Sequence, residues 1–212
     1  MRFPAARLLQ FAKRPRAGHV KTRLISAVGA QAACQLHQKL LRHTWQTLSS
    51  AQIAPLELWA DSGEFSPCFD SLNPPAEKIH VQCGVNLGER MGNAVAEALK
   101  YSDAIVIVGS DCPVLDGAYV AEALQSLYDG ADVVLGPASD GGYVLIGMQR
   151  YLPEVFHNVD WGSDQVLAQT RERLTSINCS WHELATLWDV DRPDDLERLN
   201  SLNIFDATIS NG

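Results

Sequence analysis

Five cationic side chains crowd eleven positions near the start of the chain: Lys13, Arg14, Arg16, Lys21 and Arg23. These residue types suit an anionic ligand. Arg makes forked hydrogen bonds to phosphate oxygens, and Lys supplies a mobile point charge. Pro15 and Gly18 shape the turn, and a glycine lets backbone come close to a ligand. The stretch Phe11-Ala12-Lys13-Arg14-Pro15-Arg16-Ala17-Gly18-His19-Val20-Lys21-Thr22-Arg23-Leu24 reads as a polyphosphate grip, with a solvated basic loop as the competing reading. It is not a Walker A loop, because the Gly-x-x-x-x-Gly-Lys-Ser/Thr order is absent.

Carboxylates form a second set. In Val108-Gly109-Ser110-Asp111-Cys112-Pro113, Asp111 follows an apolar run and would project into the crevice beyond a strand end. Mg²⁺ is held by one or two carboxylates plus substrate phosphates, which makes Asp111 a candidate ligand; the alternative is a turn-forming Asp. In Leu187-Trp188-Asp189-Val190-Asp191-Arg192-Pro193-Asp194-Asp195-Leu196, an extended Trp188–Val190 would point Asp189 and Asp191 the same way, toward a shared metal with Asp111. Helix capping accounts for Asp194 and Asp195 but not for Asp189. Ser139-Asp140-Gly141-Gly142-Tyr143 is a flexible turn or a simple hairpin. Gly88 and Arg90, at a helix start, are candidate contacts to a base or phosphate. Cys112 has no His motif beside it and reads as a buried cysteine. The six histidines show no ligand spacing and are assigned to surface or core.

Alternating strands and helices must position these residues. Leu8–Ala12, Leu56–Ala60, Ile79–Gln82, Ala104–Val108, Asp132–Leu135 and Tyr143–Met148 read as strands, with Ala104–Val108 uninterrupted and β-branched as in a strand covered on both faces. Helical spacing joins Ala33, Leu36, Leu40, Leu41, Trp45 and Leu48, then Leu87–Lys100, then Ala118–Leu127. Ser163 is placed as the N-cap of a helix through Leu174, and Pro193 opens the last helix. The pattern predicts a single α/β domain over residues 1–212 with a largely parallel sheet. Asn73-Pro74-Pro75 reads as a loop and residues 203–212 as a loose tail.

Composition narrows the partners. The first acidic residue is Glu57; nine Lys/Arg precede it, while from Glu57 onward eight basic residues stand against 25 acidic ones, for a net charge of −8. An acidic total argues against a general nucleic-acid binder and leaves a local anion site near the N-terminus. Five scattered cysteines, without a CxxC pair, argue against a disulfide framework or structural zinc and for a reducing cytoplasm. No apolar stretch approaches the ~20 residues of a membrane helix.

Taken together, these stretches resemble the radical-SAM/selenodomain-associated transferase 1 family, within the nucleotide-diphospho-sugar transferase superfamily. Phe11-Ala12-Lys13-x-Pro15-x-x-Gly18-x-Val20-Lys21-Thr22-Arg23-Leu24 is similar to its opening motif. Leu87-Gly88-Glu89-Arg90-Met91, Gly109-Ser110-Asp111-Cys112-Pro113, Asp140-Gly141-Gly142-Tyr143 and Trp161-Gly162-Ser163-Asp164 follow in its order. The resemblance implies a single Rossmann-like, three-layer α/β/α domain with a mostly parallel mixed sheet (glycosyltransferase-A-like). It also implies a nucleotide-phosphate contact in the first loop and a metal on Asp111. Asp111-Cys112-Pro113 and Asp189-Val190-Asp191-Arg192-Pro193 are similar to metal-binding and C-terminal patterns of nucleotidyltransferases. The Asp-x-Asp of many glycosyltransferases is missing, with Ser110 at its first position.

The expectation is a transferase dependent on Mg²⁺ or Mn²⁺, moving a glycosyl group from a nucleotide sugar to a small acceptor. Lys21 and Asp111 are its catalytic candidates. Lys13, Arg16, Gly18, Lys21, Arg23, Gly88 and Arg90 would bind the nucleotide, and Asp111, Asp189 and Asp191 the metal. Asp140, Gly141, Gly142, Tyr143, Trp161 and Asp164 would face the acceptor. The close rival is nucleotidyl transfer from a triphosphate to a phosphorylated small molecule. A non-catalytic nucleotide-binding module is the rival of another class. Neither nucleic acid nor membrane is an expected partner.

Overall fold

The computed structural model describes residues 1–61, 69, 72 and 78–205. The Asn73-Pro74-Pro75 loop, Cys68 and the 206–212 part of the expected tail lie outside the described residues. Seven strands form one sheet in the order β3-β2-β1-β4-β6-β5-β7. They are β1 (Ala6–Ala12), β2 (Leu56–Ala60), β3 (Ile79–Val81), β4 (Ala104–Val108), β5 (Val133–Pro137), β6 (Tyr143–Met148) and β7 (Trp181–Glu183). β6 pairs antiparallel with both β4 and β5, and every other pairing is parallel, so six strands run one way and β6 alone runs back. The mostly parallel mixed sheet expected from the sequence is present.

Among the described residues the α-helices are α1 (Ile25–Ala51), α2 (Leu87–Ala98), α3 (Gly117–Tyr128), α4 (Val166–Ser176) and α5 (Pro193–Ser201). Strand residues alternate between two faces, and each face has its own core. Leu8, Leu58, Val106 and Val108 pack with Leu41, Trp45 and Leu48 of α1 and with Val120, Leu124 and Leu127 of α3. Leu9, Ile105, Ile107, Ile146 and Met148 pack with Met91 and Val95 of α2 and with Leu167 and Leu174 of α4. All five residues of β4 are buried. Each buried Val or Ile there contributes roughly 1.5–3 kcal/mol. A third, smaller cluster lies off the sheet: Leu24, Leu36, Leu40, Trp188, Val190 and Leu199.

Local chemistry sets the helix starts. The Asn86 side chain accepts the Glu89 N–H at 2.9 Å and caps α2. Asp116 does the same for α3 through the Tyr119 N–H, at 2.8 Å. Asp195 accepts the N–H groups of Asp191 and Arg192 and fixes the entry to α5, as the capping reading of that run expected. Ser163 is not an N-cap. Its hydroxyl donates to the Asp160 carbonyl, and α4 begins at Val166, because residues 160–165 are spent on turns. The sequence reading also missed β7, three residues whose edge position leaves little apolar alternation to detect.

Candidate active site

The stretches around 13–23, 88–90, 111, 140–143 and 187–191 emerge at the carboxyl ends of the parallel strands or at the start of β6, along one edge of the sheet, and Trp161–Asp164, which follows β6, is packed back against Gly141. The chain leaves β1 toward β2 and β3, then crosses back to place β4 on the other side of β1. Ligands of open α/β sheets bind at such a reversal. The loop after β1 carries Lys13–Arg23, and the loop after β4 carries Asp111.

The two loops are joined from below. Gln10, fully buried, donates to the Leu41 carbonyl and to the Ser110 hydroxyl, at 3.0 and 3.1 Å. Ser110 in turn donates to the Phe11 carbonyl at 2.8 Å. The side chain at the first position of the missing Asp-x-Asp therefore ties β1 to β4 and does not face the crevice. His37 of α1, also buried, donates from Nε2 to the Lys13 carbonyl at 2.9 Å, and its Nδ1 lies 3.8 Å from Asp111 Oδ1. A carbonyl can only accept, so Nε2 is the donor in the Lys13 contact. The sequence assigns His37 to surface or core, because a partner 74 positions away leaves no spacing to notice.

Lys21 is the most constrained residue here. Its backbone is left-handed, at φ 48°, which a side chain with a Cβ rarely adopts. Such strain is common at functional sites. Its side chain is 4% exposed, its ammonium lies 2.8 Å from Asp111 Oδ1, and it donates to the Val190 carbonyl at 2.5 Å. Asp111 Oδ1 is buried and accepts no well-angled hydrogen bond, although the side chain as a whole is 44% exposed. Burial alone would raise the Asp111 carboxyl, but Lys21 and His37 outweigh it and hold it well below the usual carboxylate range.

Residues 187–191 run across the sheet edge as an extended strap. Leu187 exchanges backbone hydrogen bonds with Pro137 and Ser139, and the Val190 N–H donates to the Asp111 carbonyl at 3.0 Å. Trp188 and Val190 point into the third cluster, so Asp189 and Asp191 point to the crevice, as the alternation required. Their surroundings differ. Burial first, then Asp140 and Asp111, push the Asp189 carboxyl up to about 6, with Lys21 opposing. Asp191 is ion-paired with Arg23. That contact, together with Asp140 and Asp189, raises the Arg23 guanidinium.

These observations bear on a metal. Among the described residues no three His, Cys, Asp or Glu side chains are grouped closely enough to hold an ion by themselves. Asp191 is committed to Arg23, so the expected trio of Asp111, Asp189 and Asp191 is not assembled. Asp111 and Asp189 remain as hard oxygen donors, one paired on its buried oxygen with Lys21 but 44% exposed as a side chain, the other pushed up by burial and its carboxylate neighbours. A pair of carboxylates fits an ion that takes its other ligands from substrate phosphates and water.

The remaining candidates form the far wall. Gly88 is buried at the start of α2, where a Cβ would overlap the indole nitrogen of Trp161 and the Phe156 carbonyl. Trp161 is half-buried and meets Tyr143 edge-on, with centroids 6.4 Å apart. Gly141, at φ +91°, packs its Cα against the Asp164 backbone, and its carbonyl accepts the Leu167 N–H at 2.9 Å. Asp140 accepts the Gly142 N–H at 2.9 Å. The acceptor-side candidates Asp140–Tyr143 and Trp161–Asp164 are thus one contiguous wall. Gly88 joins it, covered by Trp161. Arg90 is half-buried and donates from Nε to the Gly84 carbonyl at 3.1 Å, which holds the loop after β3. Both nucleotide-binding candidates in that segment have structural partners. Cys112 is buried, and that burial pushes its thiol up to about 11, which suits no nucleophile at neutral pH.

Residues 40–163 match the family described as an uncharacterized protein conserved in bacteria, DUF2064. The chain belongs to the DUF2064 family. It is similar to a protein from Desulfovibrio desulfuricans provisionally described as a nucleotide-diphospho-sugar transferase, at 32% identity over 96% of this chain and 90% of that one, with a TM-score of 0.86. At lower identity the fold is shared with CMP:2-keto-3-deoxy-manno-octonic acid synthetase complexed with CTP, at 12% identity, 93% and 98% coverage and a TM-score of 0.63. It is also shared with the Mycobacterium tuberculosis protein Rv0371c in complex with manganese, at 15% identity, 92% and 97% coverage and a TM-score of 0.56. No curated protein matches the chain. No helix among the described residues is long and apolar enough to cross a membrane.

Proposed function

We propose that this DUF2064 protein is a divalent-metal-dependent transferase that takes its group from an activated nucleotide. We place it, on the resemblance of its opening motif, with the radical-SAM/selenodomain-associated transferases. The observation that carries the reading is the opposition, across one strand-order reversal, of the cationic Lys13–Arg23 loop and the carboxylates Asp111 and Asp189. Lys13 and Arg16, exposed on the loop, would meet the phosphates. Asp111 and Asp189 would hold Mg²⁺ or Mn²⁺, which when bound neutralises charge developing on the leaving phosphate. Tyr143, Trp161 and the Asp140–Gly142 turn would orient the acceptor. Such chemistry asks for positioning and charge stabilisation, with no protein nucleophile.

The preferred reaction is glycosyl transfer to a small acceptor. An acceptor oxygen bonds to the sugar's anomeric carbon and loses its proton, while the bond from that carbon to the diphosphate breaks and nucleoside diphosphate leaves. The relative from Desulfovibrio desulfuricans supports this version. The burial of Ser110 in the scaffold favours the rival, nucleotidyl transfer, because a single carboxylate remains at the end of β4. Incubation with nucleotide sugars and with nucleoside triphosphates, each with Mn²⁺, separates the two. Nucleoside diphosphate release that requires acceptor supports glycosyl transfer, and pyrophosphate release from a triphosphate sinks it. Binding without turnover of any donor would leave a nucleotide-binding module.

A further inference from the structure

Residue type made Lys21 a phosphate grip, yet its ammonium is spoken for. It is buried, 2.8 Å from Asp111 Oδ1 and hydrogen-bonded to the Val190 carbonyl, so neither contact leaves it facing a ligand. A divalent ion on the same carboxylate would sit beside this ammonium, and two cations a few ångströms apart in a half-buried crevice repel strongly. The ammonium takes the buried Oδ1, so an ion held on the exposed side of the carboxylate binds against that repulsion. Lys is suited to exchange partners, because its charge rides on a flexible stem with rotatable donors, unlike the fixed fork of Arg. The exposed Lys13–Gly18 segment of the same loop is where phosphates would offer it another partner.

We propose that Lys21 is the resident counter-cation of Asp111 and competes with the divalent metal for that carboxylate. The inference rests on the proposed function for its metal and donor. Its consequence is an order of events: the metal site is weak while Lys21 occupies it and strengthens once nucleotide phosphates draw the ammonium away. Two ligands coupled in this way strengthen each other's binding by the same factor.

The test is titration of the full chain with Mn²⁺ alone, free ion being read by electron paramagnetic resonance, for wild type, Lys21→Met and Lys21→Gly. The glycine variant guards against misfolding, since glycine takes the left-handed backbone of position 21 without strain. Both variants should bind Mn²⁺ about five- to tenfold more tightly than wild type, the lower range of measured couplings between sites. Adding Asp111→Asn to either variant should abolish the gain. Mn²⁺ affinity at or below the wild-type value in both variants overturns the competition, as does a gain that survives Asp111→Asn. Failure of the proposed function is read separately. If the variants gain Mn²⁺ but no nucleotide donor binds or reacts, the competition stands and the transferase reading falls.

Discussion

The basic loop divides into two parts that its residue types do not distinguish. From Lys13 to Gly18 the side chains are mostly exposed, and contacts from His37, Asp61 and the His19 N–H hold the backbone of the turn. From Val20 to Leu24 the chain turns inward: Val20 and Leu24 are buried, Lys21 pairs with Asp111, and Arg23 pairs with Asp191. In the outer part Lys13 and Arg16 present charge to solvent, whereas the inner part spends its charge on the carboxylates of the same site. Cationic residues at a binding site can therefore serve the ligand or serve the groups that hold it, and a carboxylate partner, with burial as well for Lys21, marks the second kind.

The sharpest way to break this comparison is at the carboxylate both parts depend on. Asp111→Asn should lower kcat/KM at least about 10²-fold, close to 3 kcal/mol of transition-state stabilisation. Initial rates with Mn²⁺ measure it, and full turnover would remove Asp111 from the metal. Next comes the wall opposite the loop. Gly141→Ala places a methyl on the Asp164 backbone at a positive φ, and should cost about 2–3 kcal/mol in urea denaturation. A neutral result would mean that the wall yields easily.

The outer part should respond in the opposite manner. Lys13→Ala and Arg16→Ala should each weaken nucleotide binding about tenfold while leaving ligand-free stability within ~0.5 kcal/mol. Calorimetry and melting curves together decide it; lost stability without lost affinity would make the outer part structural.

A control lies far from both parts, where Asp132 pins the approach to β7. The Ser180 N–H and hydroxyl, with help from Arg150, hold the Asp132 carboxyl down at about 2. Its unfolded value is near 3.9, so the stabilisation is present above about pH 4 and is lost as pH falls toward 2. Asp132→Asn should cost about 1 kcal/mol at pH 7 after solvent screening, and close to nothing at pH 2. The smallest expected effect is on thiols. At neutral pH, alkylation followed by mass mapping should find exposed Cys83 modified before buried Cys34, Cys112 and Cys179.

Much of the fold was legible because strands and helices write periodic patterns. Leu56–Ala60 and Ala104–Val108 match β2 and β4, since uninterrupted apolar runs between turn residues have few other solutions. Short edge strand β7 and the turns before α4 left no period to read. Asp189 was legible because capping could not explain it, and alternation along the strap placed it beside Asp191. The partner of Asp191 was not legible, because an ion pair with a residue 168 positions earlier depends on the crossing of the whole sheet. The role of Ser110 was hidden likewise: its position announced a missing carboxylate, and only burial shows that the hydroxyl joins two strands.

The strap has a consequence for how the molecule is made. Lys21 is synthesised early, but the carbonyl that receives its ammonium belongs to Val190, 169 positions later. A chain leaving the ribosome has its basic loop, β1 and Asp111 long before it has Asp189. A version ending before residue 187 would still contain most of the sheet. It would lack Asp189, the Arg23 partner and half of the cluster beneath the strap. Nascent or clipped chains without the strap would bind anions without completing the site, and competence would wait for the strap.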